Sequence, residues 1–268
     1  SVVVIFLQLI HMAGSYNRRT EDREGIGAVI AAVEKEYRLF DTFFANLHSY
    51  HQHVKQELAK LPAGNSVDVN TMLIGKWQHL QHIRERFEFL DFALGNSDLS
   101  LTPQQLDTLW QSIVVQGLTM EERDLGLQWI ETSHSTTNNK EYASLSDESI
   151  EYIFDNKFAE LDFAALTVQG LYSFEFLFRK VNSKRKKIVV YESRDKEFSV
   201  QSFELDGLAL LWRVVLECRN AEVGKSAVQL MTRLYKSVSN STSCKYANIA
   251  PPTHSLTHSF FFHSLRRN

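Results

Sequence analysis

The side chains in this sequence with the types and spacing for chemistry are few. They are two cysteines, two histidine clusters, one Gly-Lys-Ser triplet and one run of four basic residues. Thiol hydrolysis needs a thiolate, a base to activate it and donors for the oxyanion. Cys218 ends an apolar, helix-patterned stretch, is followed by Arg219 and Asn220, and has no histidine between His134 and His254. No glycine-rich turn precedes it, so it reads as a helix-end thiol rather than a nucleophile. Cys244, in a Ser/Thr-rich stretch, reads as an incidental exposed thiol, and neither cysteine belongs to a CxxC pair. His48 and His51 stand three apart, as do His79 and His82, with His53 close by, so each pair shares a helical face. Zinc takes about four ligands, and no cysteine or carboxylate completes a recognised spacing around these histidines. They are expected on a solvated polar face, with no metal and no cofactor. Val223-Gly224-Lys225-Ser226 contains the end of a phosphate loop, but the first glycine of that motif would fall at Arg219. Lys184-Arg185-Lys186-Lys187 is expected to be a solvated loop between helices, with a nuclear address or an acidic-partner site as the alternative. Asn240-Ser241-Thr242 is a glycosylation acceptor only in a secreted chain.

The elements that position these groups read as helices. Four prolines and eleven glycines in 268 residues suit long helices better than a many-turned β fold. Gly25 to Leu61 is predicted helical, with Val29, Val33, Tyr37, Phe40 and Phe44 on one face. Pro62-Ala63-Gly64-Asn65 breaks the pattern. A helix from Gly75 to Leu94 follows, with Ile83, Phe87, Leu90 and Leu94 as its stripe and Gly95-Asn96 at its end. Thr102-Pro103-Gln104-Gln105 and Thr119-Met120-Glu121-Glu122 are two helix-start boxes. The first opens a helix carrying Leu106, Leu109, Trp110, Ile113 and Val114, ended by Gly117. The second opens one carrying Leu125, Trp129 and Ile130. Ser133 to Lys140 is a polar loop, helices resume near Ser146, and Phe163 to Val181 is dense in apolar residues. Ile188 to Tyr191 suits an extended segment. Glu204 to Cys218 is predicted to bury Leu205, Leu208, Trp212 and Val215. Glu222 to Ser237 is predicted to bury Val223, Ala227, Leu230, Met231 and Leu234.

The ends differ from the middle. Ser1 to Ile10 carries no charge, lacks the basic flank of a signal peptide and is about half a bilayer span. It reads as the end of a buried helix, and the absence of an initial methionine suggests a fragment. From Asn240 onward no period of 2 or 3.6 survives, and a disordered tail is expected. The organisation is therefore an uncertain segment over 1–24, a helical body over 25–239 and a tail over 240–268.

Two helix pairs resemble each other. Leu109-Trp110-Gln111-Ser112-Ile113-Val114 aligns with Leu211-Trp212-Arg213-Val214-Val215-Leu216 at an offset of about 102 residues. Leu127-Gln128-Trp129-Ile130 aligns with Val228-Gln229-Leu230-Met231 at about 101. A lone hairpin cannot bury its apolar stripe, so a repeated one implies stacked hairpins with a shared core. The same segments resemble helices of the giant, fat-facets-type ubiquitin-specific proteases. The likeness rests on Leu106-Asp107-Thr108-Leu109-Trp110, on Phe174 to Asn182 followed by a basic loop, and on Leu208 to Val215. It extends over roughly Gly75 to Tyr235. Such proteases carry armadillo-like helical regions beside a papain-like catalytic domain. Their cysteine and histidine boxes find no counterpart here, so no catalytic residue carries over to any position.

The resulting expectation is all-α: stacked helical hairpins in an armadillo/HEAT-like α-solenoid. The chain would be a non-catalytic scaffold of a large deubiquitinating cysteine protease, in the cytoplasm and also the nucleus. Its partners would be proteins, among them ubiquitinated substrates bound through the parent protein. A net charge of -3 gives no reason to expect nucleic acid, and no uncharged apolar run is long enough for a membrane span. The competing readings are an armadillo-type adaptor unrelated to any enzyme, and an enzyme whose site follows no recognised motif.

Overall fold

A computed structural model describes residues 23–60, 62, 68–134, 144–190 and 198–238. The apolar stretch Ser1 to Ile10, Cys244, the acceptor triplet at Asn240 and the tail lie outside the described residues. Nine α-helices occupy most of what is described: α1 (Arg23–Tyr37), α2 (Leu39–Ala59), α3 (His79–Gly95), α4 (Pro103–Leu109), α5 (Met120–Ser133), α6 (Asp147–Asn156), α7 (Val168–Lys184), α8 (Leu208–Glu217) and α9 (Ala221–Lys236). Two short antiparallel strand pairs interrupt them. Strands β1 (Leu73–Ile74) and β2 (Trp77–Gln78) pair Leu73 with Gln78. Strands β3 (Ile188–Val190) and β4 (Phe198–Val200) pair Ile188 with Val200.

The helices form two layers. One consists of α3, α5, α7 and α9, each packed on the next, and the other of α2, α4 and α6 in the same order. The α8 helix extends the second layer by resting on the short helix Phe163–Ala165. Consecutive helices from opposite layers form hairpins: the extension of α4 with α5, α6 with α7, and α8 with α9. This is the α-solenoid expected from the repeat, in which each hairpin buries its apolar faces against its neighbours. Between the layers lies one continuous core. Trp110, Phe154, Phe158, Phe174 and Phe178 are all buried there, with neighbouring ring centroids 5.3 to 6.4 Å apart. Each such ring contributes about 1.5–3 kcal/mol through the area it removes from water. No helix among the described residues is long and apolar enough to cross a membrane.

Local sequence explains most boundaries. Thr102 caps α4 with the reciprocal Gln105 bonds of a capping box, and Pro103 occupies the first turn. Ser146 and Thr167 cap α6 and α7, and the Asn220 side chain accepts from Glu222 and Val223 to start α9. Gly207 precedes α8 at φ 79, where a Cβ would lie 2.5 Å from the ring of Phe154. Only glycine satisfies both the left-handed backbone and the close approach.

Four expectations need correction. The single helix over Gly25 to Leu61 is two helices, broken at Arg38 in the left-handed region (φ 51, ψ 60). Neither glycine nor proline marks the break. It is bridged locally, by the Glu34 carboxylate of α1 accepting from the Phe40 N–H of α2. The stripe therefore does not continue across it: Phe40 and Phe44 are buried, but Val29 and Tyr37 are exposed and Ile30 faces the core instead. The helix predicted from Gly75 starts at His79, because the preceding residues form the β1–β2 hairpin. The α4 helix widens into a π-helical turn over Trp110–Val115 before Gly117. Finally, Leu205, Leu208, Trp212 and Val215 are only partly buried, and Leu211 and Val214 are the buried residues of α8. The α9 stripe is buried as predicted.

Candidate functional site

Among the described residues, an open groove lies between α5 and α7, in the layer that continues into α9. It encloses about 230 Å³ and is lined by Glu131 from α5 and by Gln169, Tyr172, Glu175 and Arg179 from α7, among others. The α7 residues recur at intervals of three and four, opposite the buried stripe of Leu171, Phe174, Leu177 and Phe178. Glu131 accepts from the Gln169 amide at 3.2 Å and from the buried Ser173 hydroxyl at 3.1 Å, both uncharged donors. Glu175 is held differently, by Arg233 of α9 at 3.0 Å and by Arg179 at 3.7 Å. The Tyr172 ring stands 53% exposed at the rim. Sequence reasoning missed this site. Its signal was a polar stripe at helical spacing, which resembles any solvated helix face.

A second constellation is buried. His51 of α2 and His79 of α3 are brought together with Glu122 of α5, which is fully buried. His51 Nε2 lies 2.7 Å from Glu122 Oε1 and His79 Nε2 lies 3.0 Å from Oε2. Burial pushes the Glu122 carboxyl up, but hydrogen bonds from the two histidines more than offset it and leave its pKa at about 2. An ionised carboxylate only accepts, so both imidazoles donate through Nε2. The other ring nitrogen of His79, Nδ1, lies 2.9 Å from the Tyr50 hydroxyl, which either donates to it or accepts from it. The Leu118 N–H adds a further bond to Oε2 at 2.6 Å, and the Arg86 guanidinium stacks over Tyr50 at 4.4 Å. These bonds join side chains of α2, α3 and α5, so the arrangement ties three helices together. Among the described residues no group of three histidine, cysteine, aspartate or glutamate side chains is placed to hold a metal ion.

The expected solvated face thus holds for His48 and His53 but not for His51 and His79, while His82 is half-buried and donates to the Ile74 carbonyl. The Thr119 box explains why Glu122 escaped notice. Thr119 accepts from the Glu122 N–H as expected, but the Glu122 carboxylate turns inward. A residue that looks like a helix cap is the centre of a buried network.

The other candidates are placed as follows. Cys218 is half-buried at the end of α8, with its thiol 3.8 Å from the Leu166 carbonyl and 3.7 Å from the Asn220 carbonyl. The Gly-Lys-Ser triplet lies inside α9, with no loop around it. The basic run is not simply solvated. Arg185 bonds Asp155 at 2.6 Å and Asp206 at 2.9 Å, Lys187 bonds Asp206 at 2.8 Å, and Lys184 pairs with Glu151. Burial raises the Asp206 carboxyl, and Lys187 and Arg185 pull it back below the usual carboxylate range. The run clamps the end of α7 to α6 and to the segment before α8.

Comparison with known proteins identifies the array. The family model described as the UBP24/USP9X/USP9Y ARM repeat matches residues 5–182. The match begins well before Gly75, where the likeness read from tryptophan placement starts; Trp77 is the first tryptophan in the chain. Human ubiquitin carboxyl-terminal hydrolase 9Y is 25% identical over 210 residues, covering 77% of this chain and 8% of that protein. The probable ubiquitin carboxyl-terminal hydrolase FAF of Drosophila melanogaster is 26% identical over 224 residues, covering 81% of this chain and 7% of its own length. Human ubiquitin carboxyl-terminal hydrolase 24 is 21% identical over 232 residues, covering 86% and 8%. This chain thus spans less than a tenth of these relatives. The matches set aside the reading as an adaptor unrelated to any enzyme. The chain belongs to the UBP24/USP9X/USP9Y armadillo-repeat family, the helical repeat region shared with the fat-facets-type deubiquitinating enzymes.

Proposed function

We propose that this chain is a scaffold section of a fat-facets-type deubiquitinating enzyme, which holds protein partners and positions a catalytic domain located elsewhere in the longer protein. The observation that carries the reading is the two-layer array, whose α5, α7 and α9 helices form one ladder with an open groove. Solenoids of this kind present extended surfaces for protein recognition. The surroundings of Cys218 support a non-catalytic role. A nucleophilic thiol needs a base within hydrogen-bond reach, and among the described residues this thiol's hydrogen-bond partners are the backbone carbonyls of Leu166 and Asn220.

The test is release of a fluorophore from the ubiquitin C-terminus by the purified chain, run beside Cys218→Ala and Cys244→Ala. No turnover above background is expected in any of the three. Turnover by the parent chain that disappears in either variant would replace the scaffold reading with a catalytic one.

A further inference from the structure

The geometry points to the α5–α7 groove as a seat for a lysine or arginine side chain presented by an extended segment of a protein partner. This rests on the scaffold reading above and adds the chemistry of the partner. Charge bookkeeping in the groove carries the inference. Two carboxylates line it, and the arginines around them are distributed unevenly. Glu175 takes both Arg233 and Arg179. Glu131 takes a neutral amide and a neutral hydroxyl, and both reach the same oxygen, Oε2. Among the described residues both bonds fall on Oε2, which leaves Oε1 for another donor. A half-buried carboxylate whose donors are neutral has no cation among its partners, in a setting less screened than open water. It is the complement of a cation.

The aromatic rim strengthens that preference. Tyr172 is among the most exposed large apolar side chains described, and it borders the same groove as Glu131. A guanidinium or ammonium placed there gains the carboxylate on one side and the face of a ring on the other. A planar guanidinium is also able to stack on that ring, so arginine suits the seat better than lysine. At the far end Arg179 and Arg233 share the one carboxylate of Glu175, which leaves that end net positive. Tyr172 and Arg179 are seven residues apart on α7, or roughly 10 Å at 1.5 Å per residue. An extended chain covers that in about three residues. The fitting segment therefore carries a basic residue and, three positions away, an acidic one.

Fluorescence anisotropy with defined peptides tests this on the full chain. One labelled probe is Ala-Arg-Ala-Ala-Glu-Ala, and the other has citrulline in place of arginine, which keeps the shape and removes the charge. The arginine peptide is expected to bind at least tenfold more tightly, and the difference is expected to disappear in both Glu131→Gln and Tyr172→Ala. Gln at position 131 retains an acceptor for Gln169 and Ser173, and Tyr172 lies at the rim, so unchanged helical circular dichroism would show that both variants fold. Equal binding of the two peptides, no binding of either, or a preference that survives both substitutions would overturn the assignment. None of those results bears on ubiquitin hydrolysis, so the scaffold reading stands or falls separately.

Discussion

The hairpin of α4 and α5 and the hairpin of α8 and α9 are built from similar sequence, yet they bury it differently. Trp110 is 1% exposed, while its counterpart Trp212 is only partly buried and Leu216, two turns' length from the start of α8, is 77% exposed. The difference follows from position in the array. The α4 helix is flanked in its layer by α2 and α6, whereas α8 rests on the short helix Phe163–Ala165 and on its own hairpin partner. Apolar pattern states what a helix is able to bury, and the neighbours decide how much of it is buried.

The two hairpins also differ by one residue, and the structure shows where it goes. The offset is 102 before the loop and 101 after it. The linkers account for it: four residues, Gln116 to Thr119, separate Val115 from α5, and three, Cys218 to Asn220, separate α8 from α9. The π turn of the first hairpin also lies close to its facing helix. Gly126 sits where a Cβ would lie 2.3 Å from the Ile113 side chain, and the corresponding residue in α9 is the buried Ala227.

The tryptophan pair gives the largest expected contrast. Trp110→Ala should cost about 3–5 kcal/mol in denaturant melts, since it removes a fully buried ring and leaves a cavity. Trp212→Ala should cost about 1–2 kcal/mol, because that ring is only partly buried. Equal losses would mean that the two hairpins are equally enclosed.

The buried network of the N-terminal half gives the next effect. The Glu122 carboxyl is lowered from 4.5 to about 2 on folding, so its stabilisation is complete above pH 4.5 and is lost as the pH falls toward 2. The amount at stake is roughly 3 kcal/mol at about 1.4 kcal/mol per pKa unit. Glu122→Gln should be less stable at pH 7 and should flatten the pH dependence of stability below pH 4.5. A variant whose stability falls over that range as steeply as the parent's would remove Glu122 from this role. Gly126→Ala comes last, at about 1–3 kcal/mol from overpacking against the π turn. A neutral or stabilising result in thermal melts would show that Ile113 yields to it.

The sequence displayed what depends on neighbours in the chain and concealed what depends on neighbours in space. The caps at Thr102 and Thr119, the restart of helix near Ser146 and the α9 stripe are local patterns, and they were legible. The pairing of His51 with His79 depends on a glutamate from a third helix. The groove was invisible for a related reason. Gln169, Tyr172, Glu175 and Arg179 are ordinary helix-surface residues until α5 supplies the other wall. The basic run at Lys184 to Lys187 read as solvated, because its acidic partners lie on α6 and just ahead of α8.

Hydrogen exchange of backbone amides, read by mass spectrometry under native conditions, tests most directly the claim that enclosure by neighbouring hairpins sets stability along the array. Protection follows the free energy of local opening. Peptides from α5 and α7, walled on both sides within their layer, should exchange slowest, and peptides from α8 should exchange faster by at least tenfold. Protection of α8 equal to that of α5 would contradict the account.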